Sequence, residues 1–329
     1  MRVLVTGATT PLGRALVDTL ASSDDCSLVL AVGREPRRDP PRSTGVVYRC
    51  VDLTRGRAVH DLICGDATEH GIDTVVHMAQ HRATHDRGRR VHAQNVNATR
   101  ELLLRCTDHP TIRRFVQRSF AEVYALERAT SDLLDEDAAL DFDPAAPQWL
   151  RDRIEADLMV CAHFGGPLQI AVLRCAEVLA ADSGSQLWDY LASRVCLRPL
   201  GFDPMLNVLS LEDAVAAITA AARSSHTGVF NIPGADTLPL SRAIAETVRL
   251  DIPVPGPLLA PLYGLRRWTA GFEFRYDLNL RRFHFGGVID GARARQLLGY
   301  VPSHPVQWPR SWWQLLLERL SDLRSDAGS

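Results

Sequence analysis

MRVLVTGATTPLG, residues 1–13, opens the chain, and its reading decides the fold. Arg2 to Val5 form an apolar, β-branched run, Thr6 to Gly13 a glycine-bearing turn, and Pro11 to Leu20 an apolar-periodic stretch that predicts a helix. In that order, strand, turn and helix aim the first helical amides at the turn, where they suit a phosphate. The stretch therefore predicts an α/β nucleotide fold. A small-residue turn between any strand and helix gives the same local pattern, so the remaining chain has to carry the assignment.

Working outward, Ser27 to Val32 alternate as a second strand that ends in GREPRR. In a dinucleotide fold this end meets the adenosine ribose, and an acidic residue there would suit the 2′-OH of NAD. Arg34, with Arg37 and Arg38, suits a 2′-phosphate instead, so NADP is favoured over NAD if a cofactor binds. A solvated basic loop beside Pro36, Pro40 and Pro41 is the alternative. Further strands are expected at Gly45 to Val51, Asp73 to Ala79, Arg114 to Arg118 and from Val172 to Arg174, with a helix over VHAQNVNATRELLLRC, residues 91–106. His77, His81, His85 and His92 recur at four- and seven-residue spacings that suit metal ligation, but no Cys or carboxylate cluster completes a site, and no metal is expected.

These landmarks resemble, in order, those of the extended short-chain dehydrogenase/reductases, also called the NAD-dependent epimerase/dehydratase family. TGATTPLG is similar to the family's TGxxGxxG, with Gly7 and Gly13 in place and Thr10 at the middle glycine. Asp52-Leu53 resembles its Asp-Leu pair beside the adenine, DTVVHMA its VVHLAA strand, and Asn95 the Asn of its NVxGTxNLL helix. LNVLSLEDAVAAITAA with Asp213, GVFNIPG at 228–234, and GGVIDGARARQLLGYVP resemble its later landmarks. The resemblance implies a doubly wound, Rossmann-like parallel sheet over residues 1–175 and a smaller substrate lobe over 176–322, with 228–234 returning to the sheet. The tail, 323–329, is expected to be disordered. It also implies that NADP or NAD, bound weakly if at all, would meet Gly7, Thr10, Pro11, Leu12, Gly13, Arg34, Asp52, Leu53, Ala79, Asn95 and Arg153.

Family chemistry needs a Ser or Thr, a Tyr, and a Lys four residues after that Tyr, which together hold and move the substrate's proton. Aligning SFAEVYA on the family's VYG motif puts Phe120 at the hydroxyl position. PQWLRDRIEADLM resembles PYxxSKxxAE, which puts Trp149 at the Tyr and Arg153 at the Lys. Indole cannot exchange a proton near neutrality and guanidinium stays charged. All 37 basic residues are Arg, so no shift of register hides a lysine. Glu122 matches the Glu of the dehydratases' Asp-Glu pair, but Ala121 stands at its Asp; Glu122, Tyr124 and Asp152 are the substitutes available for proton transfer.

Composition narrows the partners. A net charge of −2 gives no long-range pull toward nucleic acid or acidic lipid, and 46% apolar residues over 329 allow a full core. Seven scattered cysteines read as buried thiols in a reducing compartment. With no leader pattern and no run near the roughly 20 apolar residues a bilayer span needs, the expected address is the cytoplasm. The apolar stretches 253–268 and 311–324 suit a core, a partner or a membrane surface. The resemblance implies a homodimer through helices near Val91–Cys106 and Trp149–His163. The expected function is a binding protein for a cofactor, small ligand or protein partner that is inactive by the family mechanism. The alternative is an NADP-dependent reductase or epimerase acting on a nucleotide sugar or similar carbonyl compound through another proton donor.

Overall fold

The computed structural model describes residues 1–36, 45–81, 86–126, 133–270 and 274–309. Arg37, Arg38, Pro40, Pro41, His85, the stretch 311–324 and the tail 323–329 lie outside them. The chain runs β1 (Arg2–Thr6), α1 (Pro11–Ala21), β2 (Leu28–Gly33), β3 (Val46–Cys50), α2 (Gly56–His60), β4 (Thr74–His77), α3 (Arg89–His92), α4 (Ala98–Thr107), β5 (Arg114–Phe120), β6 (Leu133–Leu134), α5 (Gln148–Cys161) and β7 (Gln169–Cys175). It continues as β8 (Glu177–Val178), α6 (Gln186–Ala192), β9 (Val195–Pro199), β10 (Met205–Leu209), α7 (Leu211–Arg223), β11 (Gly228–Ile232), β12 (Asp236–Pro239), α8 (Leu240–Glu246), β13 (Leu250–Val254), α9 (Gly256–Ala270), α10 (Tyr276–Phe285), β14 (Val288–Ile289) and α11 (Ala292–Leu298).

Seven strands form one sheet in the order β11-β7-β5-β4-β1-β2-β3. Every pairing in it is parallel. Parallel neighbours need crossovers over a face of the sheet, so helices cover both faces and the inner strands are apolar throughout. Val3, Leu4, Val5, Val75, Val76 and Val116 have no solvent access. This is the doubly wound, Rossmann-like fold. Strand order reverses between β1 and β4, and the crevice at their C-terminal ends is where such a sheet binds ligands.

Outside this sheet lie a three-stranded sheet, β12-β10-β8, and the pairs β13-β9 and β14-β6. A separate core gathers Tyr190, Tyr263, Phe274, Tyr276 and Phe283, whereas Leu134 of β6 and Ile289 of β14 join the core of the main sheet. Tyr190 and Phe283 meet edge to face with centroids 4.9 Å apart, the arrangement favoured by the ring quadrupoles.

Three local expectations need correction, and a fourth, left open, is refined. β5 runs on to Phe120, because its pairing with β7 continues to Phe120 opposite Cys175. The helix expected over 91–106 widens at Ala93–Asn97, where Thr99 Oγ1 donates to the Asn95 carbonyl at 2.8 Å. The thiols are not all buried: Cys50 and Cys64 are exposed, while Cys106, Cys175 and Cys196 are buried and all seven are free. The apolar stretch ending at Trp268 is not wholly core. On α9, Leu259 and Tyr263 are buried, whereas Leu258, Leu262, Leu265 and Trp268 face outward. Among the described residues no helix is long and apolar enough to cross a membrane.

Of the described histidines in the series, His77 is on β4, His81 follows it in a loop and His92 ends α3. His77 joins three elements. Thr99 already donates to Asn95, so its oxygen accepts from His77 Nε2 at 3.0 Å. Thr6 Oγ1 accepts from Met78 and Ala79 amides, so it donates to His77 Nδ1 at 2.8 Å. The network thus assigns a neutral ring with the proton on Nε2. Full burial pulls its pKa down to about 4.

The unfolded chain takes up this proton first, near pH 6.5. The contribution to stability is therefore complete above that pH and is lost as pH falls toward 4, a swing of about 3 kcal/mol. Urea midpoints measured from pH 7 to 4.5 are expected to fall, and His77→Gln, though less stable at pH 7, should flatten the decline. An equal decline in the variant would assign it to other groups.

Candidate functional site

The site begins at the loop between β1 and α1. Gly7 has a φ of +74°, and a Cβ there would stand 3.1 Å from the Met78–Ala79 backbone. At Gly13 a Cβ would fall 2.1 Å from the Gly7 carbonyl, so the helix can start this close to the strand only with glycine. Thr10 is the N-cap of α1. Its hydroxyl donates to the Gly7 carbonyl and accepts from the Gly13 amide, both at 2.9 Å. The side chain therefore turns back into the loop and takes an amide as well as space. Pro11 has no N–H and the Arg14 amide bonds to the Thr10 carbonyl, so of the first-turn amides Leu12 keeps its own for a ligand.

On one side of this loop lies a cavity of about 320 Å³ bordered by Gly7, Gly33, Arg34, Asp52, Leu53 and Ala79. Asp52 accepts from the Thr54 hydroxyl at 2.7 Å, which with the neighbouring amide and Arg34 holds its carboxyl below the usual range. Asn95 sits one layer back. Its Oδ1 accepts from the His81 amide and its Nδ2 donates to Asp152, so it shapes the turn after β4.

On the other side, past Thr10, Pro11 and Leu12, the groove narrows to a cavity of about 60 Å³. Here Phe120, Trp149 and Arg153 come together. The guanidinium carbon of Arg153 lies 3.5 Å from the Phe120 centroid and 4.7 Å from that of Trp149. One nitrogen of the same group lies 3.6 Å from Glu122. Burial pulls the Arg153 pKa down to about 10, against the opposing pull of Glu122, and the group stays charged at neutrality.

The sequence reading missed three further members. Arg118 lies over Phe120 at 4.4 Å, two residues back along β5 and so on the same face, a period-2 signal that was there to read. Glu177 and Arg282 form an ion pair contributed from β8 and α10, elements with no local pattern pointing here. Among the described residues, Arg118 Nε, Trp149 Nε1 and Glu122 Oε2 are buried without hydrogen-bond partners. Glu122, Trp149, Glu177 and Arg282 also border a third, larger cavity of about 220 Å³, whose wall includes Leu126, Leu134, Leu150, Leu206 and Ile289.

Two substitute acids drop out. Tyr124 is buried; its hydroxyl donates to Asn231 at 2.6 Å and accepts from Arg174, and burial pushes its pKa up to about 12. Asp152 is on another face of α5, where its carboxylate meets His92 Nδ1 at 2.9 Å. Below the stack, Asp157 accepts from Arg174 at 2.7 Å and from Ser119 at 2.5 Å.

A family model described as "NAD dependent epimerase/dehydratase family" matches residues 3–232. The chain belongs to this family. Among relatives of this epimerase/dehydratase chain, an uncharacterized protein of Mycobacterium tuberculosis is 30% identical over 308 residues, 91% of this chain and 80% of that one. The 3-diazoavenalumate denitrifying reductase of a Streptomyces species is 28% identical over 315 residues, 93% of this chain and 97% of that one. In structure it is similar to UDP-glucuronic acid 4-epimerase of Bacillus cereus in complex with NAD, with a TM-score of 0.68 at 16% identity, covering 93% and 94% of the two chains. A short-chain dehydrogenase/reductase superfamily protein of Agrobacterium tumefaciens with bound NAD has a TM-score of 0.67 at 19% identity, with 100% of each chain covered.

Removing one partner of the buried Asp157–Arg174 pair strands a charge. Arg174→Met is expected to destabilise by about 3–5 kcal/mol, and Asp157→Leu combined with it should recover much of that loss. Urea denaturation of the two variants measures both; an additive double variant would deny the coupling.

Proposed function

We propose that this epimerase/dehydratase family member binds a nucleotide and a small organic ligand but performs no alcohol–carbonyl redox through a tyrosine and lysine. The observation that carries the reading is Arg153 held between Phe120 and Trp149. The three positions the family uses to hold and move a proton contain side chains that contact one another, and none of them exchanges a proton near neutrality. Of the two carboxylates bordering the same cavity, Glu122 faces Arg153 and Glu177 is paired with Arg282. Loss of general acid–base help alone is typically worth ~10²- to 10⁴-fold in rate.

The apolar cavity of about 220 Å³ suits the body of a small ligand. Among the described residues Arg34 carries any preference for a 2′-phosphorylated adenosine, so Arg34→Ala should reduce it. A homodimer through α4 and α5 is part of the same reading, since Leu104 and Leu158 on those helices are exposed. A monomer by light scattering at micromolar concentration would contradict it.

A second reading is a reductase whose hydride acceptor needs no proton on oxygen; the denitrifying reductase covered over 97% of its length favours it. The test is nicotinamide absorbance under single-turnover conditions with NADH and NADPH, using nucleotide sugars, simple ketones and an aryl diazo acid. No oxidation with any carbonyl is expected. Single reversions should recover almost nothing, because residues acting as a unit are not additive; the triple variant Phe120→Ser, Trp149→Tyr, Arg153→Lys restores the set. An ordinary rate near ~10 s⁻¹ on a carbonyl overturns the reading, and oxidation with the diazo acid alone selects the second.

A further inference from the structure

We infer that the nucleotide this site takes is an adenine nucleotide ending at its phosphates, and that the nicotinamide half of a dinucleotide is excluded. The inference rests on the non-redox reading above and names the ligand of that site. Its basis is the inequality of the two halves of the groove on either side of Thr10. The half beside Gly33, Arg34, Asp52 and Leu53 offers about 320 Å³, whereas the half beside Arg118, Phe120 and Arg153 offers about 60 Å³. The space beside Arg118, Phe120 and Arg153 is less than a fifth of that beside Arg34 and Asp52, too little for a nicotinamide and its ribose with these side chains where they stand.

Two further features act in the same direction. The small cavity is bordered by Arg118, Arg153 and Arg282 against Glu122 and Glu177, an excess of positive charge that opposes the cationic ring of an oxidised nicotinamide. The stack also has no slack, since Phe120 is covered by Arg153 at 3.5 Å and Arg118 at 4.4 Å. At the phosphate turn, Thr10 takes the Gly13 amide that would extend a pyrophosphate cradle toward this half. The fold's usual cofactor therefore fits at its adenosine end and fails at its reactive end.

Isothermal titration of the full chain with ADP, ADP-ribose and NAD tests this. ADP should bind, and NAD should bind no more than threefold more tightly than ADP; NADH emission should stay at its free wavelength in the presence of protein. Arg118→Ser with Phe120→Ser should raise the preference for NAD over ADP at least tenfold and leave ADP affinity unchanged, which also reports that the variant is folded. If that double variant loses ADP binding, Phe120→Ala alone is used, with the same direction expected. NAD more than threefold tighter than ADP, a shifted NADH emission, no ADP binding, or a preference unmoved in a variant that still binds ADP would each overturn the inference. Carbonyl turnover overturns the proposed function itself, whereas preferential NAD binding without turnover overturns this inference alone.

Discussion

The Asp157–Arg174 ion pair is the fixed point on which the site depends. Two charges removed from water must satisfy one another almost completely, and here Ser119, Tyr124 and the Glu136 carbonyl add further hydrogen bonds. The pair ties α5 to β7, and Ser119 extends the tie to β5. Trp149, Arg153 and Asp157 follow at four-residue intervals, so they share one face of α5. Fixing Asp157 thereby sets the height of Arg153 and Trp149 above the sheet, and β5 brings Phe120 to meet them.

On the proposed reading, Phe120, Trp149 and Arg153 at the family's proton-handling positions are a packing solution as much as a chemical change. A hydroxyl, a phenol and an ammonium leave room for substrate and cofactor between them. Two aromatic rings with a planar cation between them fill that room, and a guanidinium desolvated among rings gains from their faces what it loses in water. The cavity next door keeps its apolar wall, so the substrate side of the molecule stays open while the centre is closed.

Much of this was legible in the chain. The ordered strand and loop landmarks gave the sheet, since parallel strands buried on both faces read as continuous apolar runs. The fates of Phe120, Trp149 and Arg153 were readable because they sit at fixed offsets from VY and from Pro147. What escaped was of two kinds. Thr10 is visible in the sequence only as a replaced glycine, and whether a threonine points outward or caps its helix depends on the loop geometry. Glu177 and Arg282 arrive from distant elements, and no local pattern announces a contact made only after the lobe has folded back. The partners of Tyr124 were equally hidden, because its sequence offset says nothing about Asn231 and Arg174, which come from neighbouring strands and claim its hydroxyl.

The mutual packing of Phe120, Arg153 and Trp149 also constrains the history of the molecule. Each side chain is comfortable because the other two are present, so a lone return to serine opens a hole beneath a buried cation, and a lone return to tyrosine or lysine sets a new polar group among rings. Every first step back is disfavoured before any benefit appears, whereas conservative changes elsewhere on the surface remain free. Such an arrangement behaves as a ratchet: with the three settled together, reversal is favourable only when all of them change at once.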